Sequence, residues 1–405
     1  MNGSILVVNC GSSSIKFALV PQQSGQPRLS GLVERLGASD PGLKFTDENG
    51  NKHQFPLPGA DHASAMQAIL EHLGDRQPRA IGHRVVHGGE RFKSATLINE
   101  EVIDSIKQCA SLAPLHNPAN LEGIRATRLL FPDLPQVAVF DTAFHQTMPE
   151  HAYRYAIPTE LYREHGIRRY GFHGTSHAYI AERLGELSVH GHGGWIIAHL
   201  GNGCSATAVW QGRSLDTSMG MTPLEGLVMG TRSGDVDPGL HLHLANQCGW
   251  SVEQIDQMLN KHSGLMGLSG LSPDMRDLEQ AAGDGHSGAR LALDVFCYRL
   301  ARTMAALSCA LPQLDGIAFT GGIGENSPLI RSRALSMMAA LGPRLSDIAN
   351  DNLARGREGR IDLASETGSP EIWVVPTDEE GRIARETAEL VEFQPHLDFH
   401  PEASA

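Results

Sequence analysis

The chain has 405 residues, enough for two domains or slightly more at roughly 150 residues per domain. Hydrophobic residues make up 41% and charged residues 20%, a globular balance that excludes a wholly disordered or fibrous chain. The 33 Lys and Arg against 46 Asp and Glu leave a formal net charge of −13, which repels phosphate backbones and argues against a nucleic-acid partner. No apolar run approaches the about 18 residues needed to span a bilayer, so no membrane partner is expected. Met1-Asn2-Gly3-Ser4 lacks the basic start of a secretory signal, so a soluble, cytoplasmic protein is expected.

In chain order, Ile5 to Asn9 and Ser14 to Val20 read as two strands around the small-residue turn Cys10-Gly11-Ser12-Ser13. The stretch Ser39 to Asp61 is poor in apolar residues and reads as a surface loop or an inserted hairpin. Helical apolar spacing marks His62 to Leu73, Glu101 to Leu112, Leu121 to Phe131, Ser176 to Leu187, Val252 to His262 and Ala289 to Leu311. Asn117-Pro118 reads as a cap followed by a proline at the first helical position. Trp195 to Leu200, Gly201-Asn202-Gly203 and Cys204 to Trp210 repeat the opening strand-turn-strand pattern, which suggests a duplicated domain. Val137 to Phe140, Ile317 to Thr320 and Ile372 to Val375 read as buried strands. The last helix begins at Glu379-Glu380, where acidic residues suit a helix N-terminus. The fold class is therefore α/β. The six cysteines show no C-x-x-C pair and read as reduced core thiols.

Three glycine turns follow strands: Asn9 to Ser14, His199 to Gly203, and Gly321 to Asn326. Such turns expose backbone N–H groups that can close on phosphate oxygens, and Lys16 adds charge to the first. One alone reads better as an ordinary tight turn; three in one α/β chain favour nucleotide phosphates. None is a Walker A loop, and Gly201-x-Gly203-x-x-Ala206 runs on into a strand, which counts against a dinucleotide site.

A second group of motifs sets Arg and His among glycines: Gly82 to Gly89, Gly171 to His177, and Gly230 to Asp235. Small neighbours leave guanidinium and imidazole groups open to an anion, although Arg232 could instead pair with Asp235 or Asp237. The pairs His83/His87 and His173/His177 permit a zinc reading, weakened by the glycine turns that interrupt any helix face. Asp141 ends a strand, the usual place for a functional carboxylate in an open sheet. With Glu379 and Asn9 it supplies hard oxygen donors that suit magnesium, while helix capping is the better reading of Asp378.

These motifs, together with Ala113-Pro114-Leu115-His116-Asn117-Pro118, Phe140 to His145 and Val375 to Glu380, occur in order over essentially the whole chain. In this the sequence resembles the acetate kinase family, within the superfamily of sugar kinases, heat-shock 70 proteins and actin. The resemblance implies a two-domain duplicated ribonuclease-H-like (actin-like ATPase) fold with ATP in an interdomain cleft. It places an N-terminal domain at 1–145 with 380–405 and a nucleotide-binding domain at 146–379, and it implies a homodimer. The implied reaction is reversible, magnesium-dependent transfer of the ATP γ-phosphoryl group to acetate, with manganese as a substitute.

By the same resemblance Asn9 and Glu379 bind the metal, Lys16 contacts the nucleotide, and Arg84 holds the acid's carboxylate. Asp141 is the catalytic aspartate, and His173 and Arg232 stabilise the transferring group. The residues His199, Leu200, Gly201, Asn202 and Gly203, then Asp274, Met275 and Arg276, and then Gly322, Ile323, Gly324, Glu325 and Asn326 form nucleotide loops. Met275 stands where the family has an aromatic residue. Val86, Leu115, Phe172 and Pro223 line the methyl pocket, with Val86 leaving little room for a further methylene. Because acetate is already ionised near neutral pH, Asp141 need not remove a proton and is expected to orient an arginine or a metal-bound water. The alternatives are a propionate or butyrate kinase, an actin- or heat-shock-70-like ATPase, and a metal-dependent hydrolase built on the histidine pairs.

Overall fold

The computed structural model describes residues 3–21, 27–74, 76–114, 116–353, 355–363 and 368–393; Leu115 lies outside them. In chain order the elements are β1 (Ser4–Cys10), β2 (Ser14–Pro21), β3 (Leu29–Glu34), β4 (Gly42–Asp47), β5 (Lys52–Pro56), α1 (His62–Leu73), β6 (Pro78–Val85), β7 (Thr96–Leu97), α2 (Glu100–Gln108), α3 (Asn117–Leu130) and β8 (Gln136–Phe140). There follow α4 (Glu150–Tyr153), α5 (Thr159–His165), α6 (Gly174–Leu187), β9 (Gly194–Leu200), β10 (Cys204–Trp210), β11 (Arg213–Thr217), α7 (Gly239–Cys248), α8 (Val252–Lys261), α9 (Gly264–Ser269), α10 (Met275–Gly283) and α11 (Ser287–Leu307). The chain ends with β12 (Gly316–Thr320), α12 (Gly321–Asn326), α13 (Pro328–Met337), α14 (Asp347–Asn352), β13 (Gly359–Arg360), β14 (Glu371–Val374) and α15 (Glu379–Phe393).

These elements fall into two compact units, one from Met1–Ala143 with Asp378–Ala405 and one from Phe144–Thr377. Among the described residues, unit 1 holds an eight-stranded sheet in the order β5-β4-β3-β2-β1-β6-β8-β7, and unit 2 a six-stranded sheet in the order β11-β10-β9-β12-β14-β13. The strings β3-β2-β1-β6-β8 and β11-β10-β9-β12-β14 are equivalent. In each, three antiparallel strands joined in sequence are followed by two parallel ones. This is a ribonuclease-H-like fold, present twice. The stretch 39–61, poor in apolar residues, adds the hairpin β4-β5 to the edge of the first copy.

In unit 1, β1 is apolar on both faces because helices cover both, as expected of strands inside a layered α/β sheet. Leu6, Val8 and Cys10 pack with Ala65, Met66, Ile69 and Leu73 of α1. Ile5 and Val7 join Ala18, Val20, Ala80, Val137 and Val139 against Ile383, Ala384 and Ala388 of α15. In unit 2, Ile180, Ala181 and Leu184 of α6 pack on Trp195, Ile197, Val209 and Ala318, while α11 lies along β9 and β10.

Three local expectations need correction. Asn117 does not cap α3: it is the first helical residue after His116, and its amide accepts from His87 N (3.1 Å) and donates to His87 O (2.9 Å). The third glycine turn is itself helical, α12 starting directly after β12 and α13 following from Pro328. No cysteine forms a disulfide, but Cys248 and Cys309 are exposed rather than core thiols.

Candidate active site

Strand alternation brings the unit 1 candidates together. Side chains two residues apart share a sheet face, so Asn9, Lys16, Arg84 and Asp141 continue the rows of Val7, Ala18, Ala80 and Val139 on the face that α15 covers. Gly82, in the Arg84 row, shows how closely the helix approaches: a Cβ there would stand 2.5 Å from Thr387 Oγ1 and 2.8 Å from Ile383 Cγ2. Beyond this contact α15 begins at Glu379, and Asp378 Oδ1 accepts from Gly381 N (2.9 Å), the capping role expected of it.

Asp141 is 1% exposed and takes both forked donors of Arg84, Nε to Oδ1 at 3.0 Å and Nη2 to Oδ2 at 2.5 Å. Glu379 Oε2 lies 3.9 Å from Arg84 Nε. Burial works against the guanidinium charge, but Asp141 and Glu379 outweigh it and raise the Arg84 pKa further above its ordinary range. The engaged Nε–Nη2 edge belongs to Asp141; a guanidinium carries five N–H groups, so its Nη1 end can still donate to a second anion. Lys16 Nζ pairs with Glu380 (2.5 Å). Val86 is held through its backbone N–H by Asn120 Oδ1 (3.0 Å), and Asn120 Nδ2 reaches back to Cys10 O (2.7 Å).

The unit 2 candidates form a histidine-rich group with Arg232 beside it. His173 stands at the N-terminal boundary of α6 with a left-handed backbone (φ 56°), an uncommon geometry for a residue with a side chain. The adjacent Phe172 carbonyl accepts from His145 Nε2 (3.0 Å), whose Nδ1 meets Ser214 Oγ (2.9 Å). Burial pushes His145 down to about 4, so it is a neutral brace. The His173 and His199 rings lie 4.4 Å apart, and His199 Nδ1 meets Ser176 Oγ at 2.8 Å.

Gly203 sits against this group: a Cβ there would lie 3.1 Å from Arg232 Nη2 and 3.3 Å from His173 Nε2. Arg232 Nη1 donates to Pro223 O (2.6 Å). The loop bearing Pro223 is tied by Arg169, which donates to the carbonyls of Thr217, Ser218 and Met219 and to Glu225. Asp235 and Asp237, the alternative partners for Arg232, accept instead from Gly226 N and Gly239 N.

A cavity of about 530 Å³ in unit 2 collects residues of all three expected nucleotide loops: Gly201 and Asn202, Asp274 to Arg276, and Gly322, Ile323 and Asn326. Pro273, Glu279, Ser327 and Arg355 also line it and carried no motif in the sequence. Met275 is 5% exposed. Three expected contacts are corrected. Leu200 is fully buried in β9, so only its backbone can serve a ligand. Glu325 turns inward, accepting from Gly321 N (2.9 Å) and Thr377 N (3.2 Å). Phe172 is 1% exposed and can back a pocket but scarcely line it.

Among the described residues no three His, Cys, Asp or Glu side chains come together as a metal-ligand group at either histidine pair. His83 meets Gln136 Oε1 (2.9 Å), and His87 Nδ1 accepts from Gly89 N (3.0 Å). Burial pushes the Cys204 thiol up to about 12, which disfavours its thiolate. Sequence reasoning gave no role to Asn120, His145 or Ser205; all three are buried polar residues, and Asn120 stood outside every quoted motif.

A ribonuclease-H-like fold present twice, a forked arginine beside acidic residues in one copy and glycine loops around a cavity in the other suit a phosphotransferase. The sequence profile of the Acetokinase family matches residues 4–385, and the chain belongs to that family. It is 57% identical over 394 residues to the acetate kinase of Pseudomonas aeruginosa, covering 96% of this chain and 99% of that protein. It is 56% identical to the acetate kinase of Deinococcus radiodurans, covering 95% and 98%. Among solved structures, a propionate kinase from Francisella tularensis superposes with a TM-score of 0.91 at 46% identity, covering 96% of this chain and 99% of that one. Acetate kinase from Porphyromonas gingivalis gives 0.90 at 43% identity, covering 96% and 100%.

Proposed function

We infer that this chain is a kinase that transfers the γ-phosphoryl group of ATP to acetate, reversibly, giving acetyl phosphate and ADP. An acetate oxygen forms the new bond to phosphorus as the bond to the bridging oxygen of ADP breaks, without a covalent enzyme intermediate. The observation that carries this reading is the forked Arg84–Asp141 pair in a chain 57% identical to an acetate kinase. Asp141 aims the guanidinium, and its Nη1 end holds the carboxylate of the acid.

Phosphoryl transfer asks mainly for alignment and for stabilisation of the equatorial oxygens. His173 and Arg232 supply that stabilisation in this reading. Lys16, the backbone of His199 to Gly203 and the cavity in unit 2 hold the nucleotide. Asn9 and Glu379 fit magnesium by donor chemistry, one amide oxygen and one carboxylate, leaving other positions to waters and phosphates. When bound, the ion neutralises phosphate charge. Manganese uses the same donors.

Val86 supports acetate over longer acids, since a larger acid must displace a side chain whose backbone Asn120 holds. The net charge of −13 supports the absence of a nucleic-acid partner, and unpaired cysteines suit the cytoplasm. Among the described residues no helix is long and apolar enough to cross a membrane. Exposed Leu242 on α7, with Trp250 and Val252 at the start of α8, supports a homodimer.

The test is ATP turnover with acetate, propionate and butyrate, with and without magnesium, trapping the acyl phosphate as its hydroxamate. Magnesium-dependent acyl phosphate formation, fastest with acetate, is expected. Equal ATP turnover without any acid acceptor would refute the reading.

A further inference from the structure

Two histidines four residues apart reach one buried hydroxyl. His173 places Nδ1 3.0 Å from Ser205 Oγ, and His177, one turn further along α6, places Nε2 2.7 Å from the same oxygen. Ser205 and His177 are fully buried. The other ring nitrogen of His177, Nδ1, is buried with no hydrogen-bond partner.

These contacts decide where each proton rests. Burial, with His145 and His199 nearby, holds His177 well below the ordinary histidine range, so its ring is neutral and carries one proton. On Nδ1 that proton would be an orphaned buried donor, a costlier fault than an orphaned acceptor. It therefore sits on Nε2 and is donated to Ser205 Oγ. The Ser205 hydroxyl, having accepted, donates its own hydrogen to His173 Nδ1. That nitrogen is then an acceptor, and the His173 proton lies on Nε2, the atom 3.3 Å from where a Gly203 Cβ would stand, beside Arg232 Nη2.

We propose that His177 and Ser205 are positioning residues for phosphoryl transfer: through this relay they hold His173 as its Nε2–H tautomer, so that it presents a neutral N–H donor to the transferring group. No proton moves along the relay during turnover; the relay fixes where the His173 proton is. The proposal rests on the reading above in which His173 touches the phosphoryl group. It also separates the work of the two cations and the imidazole: Arg84 and Arg232 bring charge, and His173 brings direction.

Long-range proton–nitrogen correlation on 15N-histidine-labelled protein, with His173 assigned through His173→Gln, reads the tautomer directly. At neutral pH the wild-type protein is expected to show His173 Nδ1 unprotonated and Nε2 carrying the proton. Ser205→Ala is expected to give a mixture of His173 forms and a kcat on the order of tenfold lower, with the KM values for acetate and ATP little changed. Ser205→Thr keeps the hydroxyl, and His177→Gln keeps an N–H donor; each is expected to retain the wild-type tautomer and most of kcat. A wild-type spectrum with the proton on His173 Nδ1, or on both nitrogens, overturns the relay whatever the variants do. So does a Ser205→Ala protein whose His173 spectrum is unchanged. Because the spectrum needs no turnover, an Nε2–H tautomer in a protein without acetate-dependent ATP turnover would support the relay while refuting the function.

Discussion

Units 1 and 2 use the same five-strand order, and they build opposite chemistries on it. In unit 1 the strand ends carry charge: Arg84, Asp141, Glu379 and the Lys16–Glu380 pair gather where α15 begins. In unit 2 the corresponding hairpin and its surroundings carry glycines, histidines and hydroxyls, with Arg232 as the cation at Gly203. In the function proposed above, a small carboxylate and a metal ion meet a fixed charge pattern, whereas a polyphosphate meets backbone and directional donors that need close approach.

The largest test of this contrast is metal removal. Chelation of magnesium is expected to abolish acetate-dependent turnover, and added manganese to restore it, measured as hydroxamate formed. Next, Asp141→Asn strips the charge that aims Arg84. A drop in kcat/KM on the order of 100-fold is expected, since loss of alignment of about 1 Å at a positioning group costs about that much. Near wild-type turnover would show that the charge pattern in unit 1 is not what orients the arginine.

Gly203→Ala probes the other side of the comparison. The added Cβ would press on Arg232 and His173 at 3.1–3.3 Å, distances that a small shift can relieve, so a loss of kcat of roughly tenfold with an unchanged melting temperature is expected. A smaller effect is expected for Val86→Ala, which should improve propionate relative to acetate by up to about 1–3 kcal/mol in kcat/KM. An unchanged ratio would remove Val86 from the acid pocket.

The two units should respond alike to acid. Burial pushes His83 in unit 1 and His145 in unit 2 down to about 4 from 6.5. Each is neutral in the fold and more basic in the unfolded chain. Their contribution is therefore complete above pH 6.5 and is lost as pH falls towards 4, on the order of 3 kcal/mol each. Urea unfolding at pH 7 and at pH 4.5 measures the slope. His83→Gln is expected to flatten it, and an unchanged slope would show that His83 is not buried neutral.

Much of the fold was legible locally. The helix His62–Leu73 coincides with its expected range, and α6, α8 and α11 differ at their ends by a few residues, because apolar spacing reports one buried face. The repeated strand-turn-strand pattern was enough to suggest duplication, but only the matched strand order established it. Asn117 misled because asparagine before proline is a good cap in isolation; a buried backbone segment at His87 competes for its amide and wins. Glu325, which the resemblance set in a nucleotide loop, has its carboxylate engaged by the N–H groups of Gly321 and Thr377, contacts that the sequence of the loop does not show.

The sequence by itself determined which residue types and turns this protein carries, and their order along the chain was enough to mark the family. Tertiary structure decided which of them meet. Asn9, Arg84, Asp141 and Glu379 are far apart in the chain, and they share one face only because strand alternation, β1–β6–β8 register and the packing of α15 coincide. The same holds for Ser205, which no motif distinguished. β10 places its hydroxyl within reach of His177 on α6 and of His173 just before that helix, and a hydrogen bond depends on where two atoms are, which no single segment encodes.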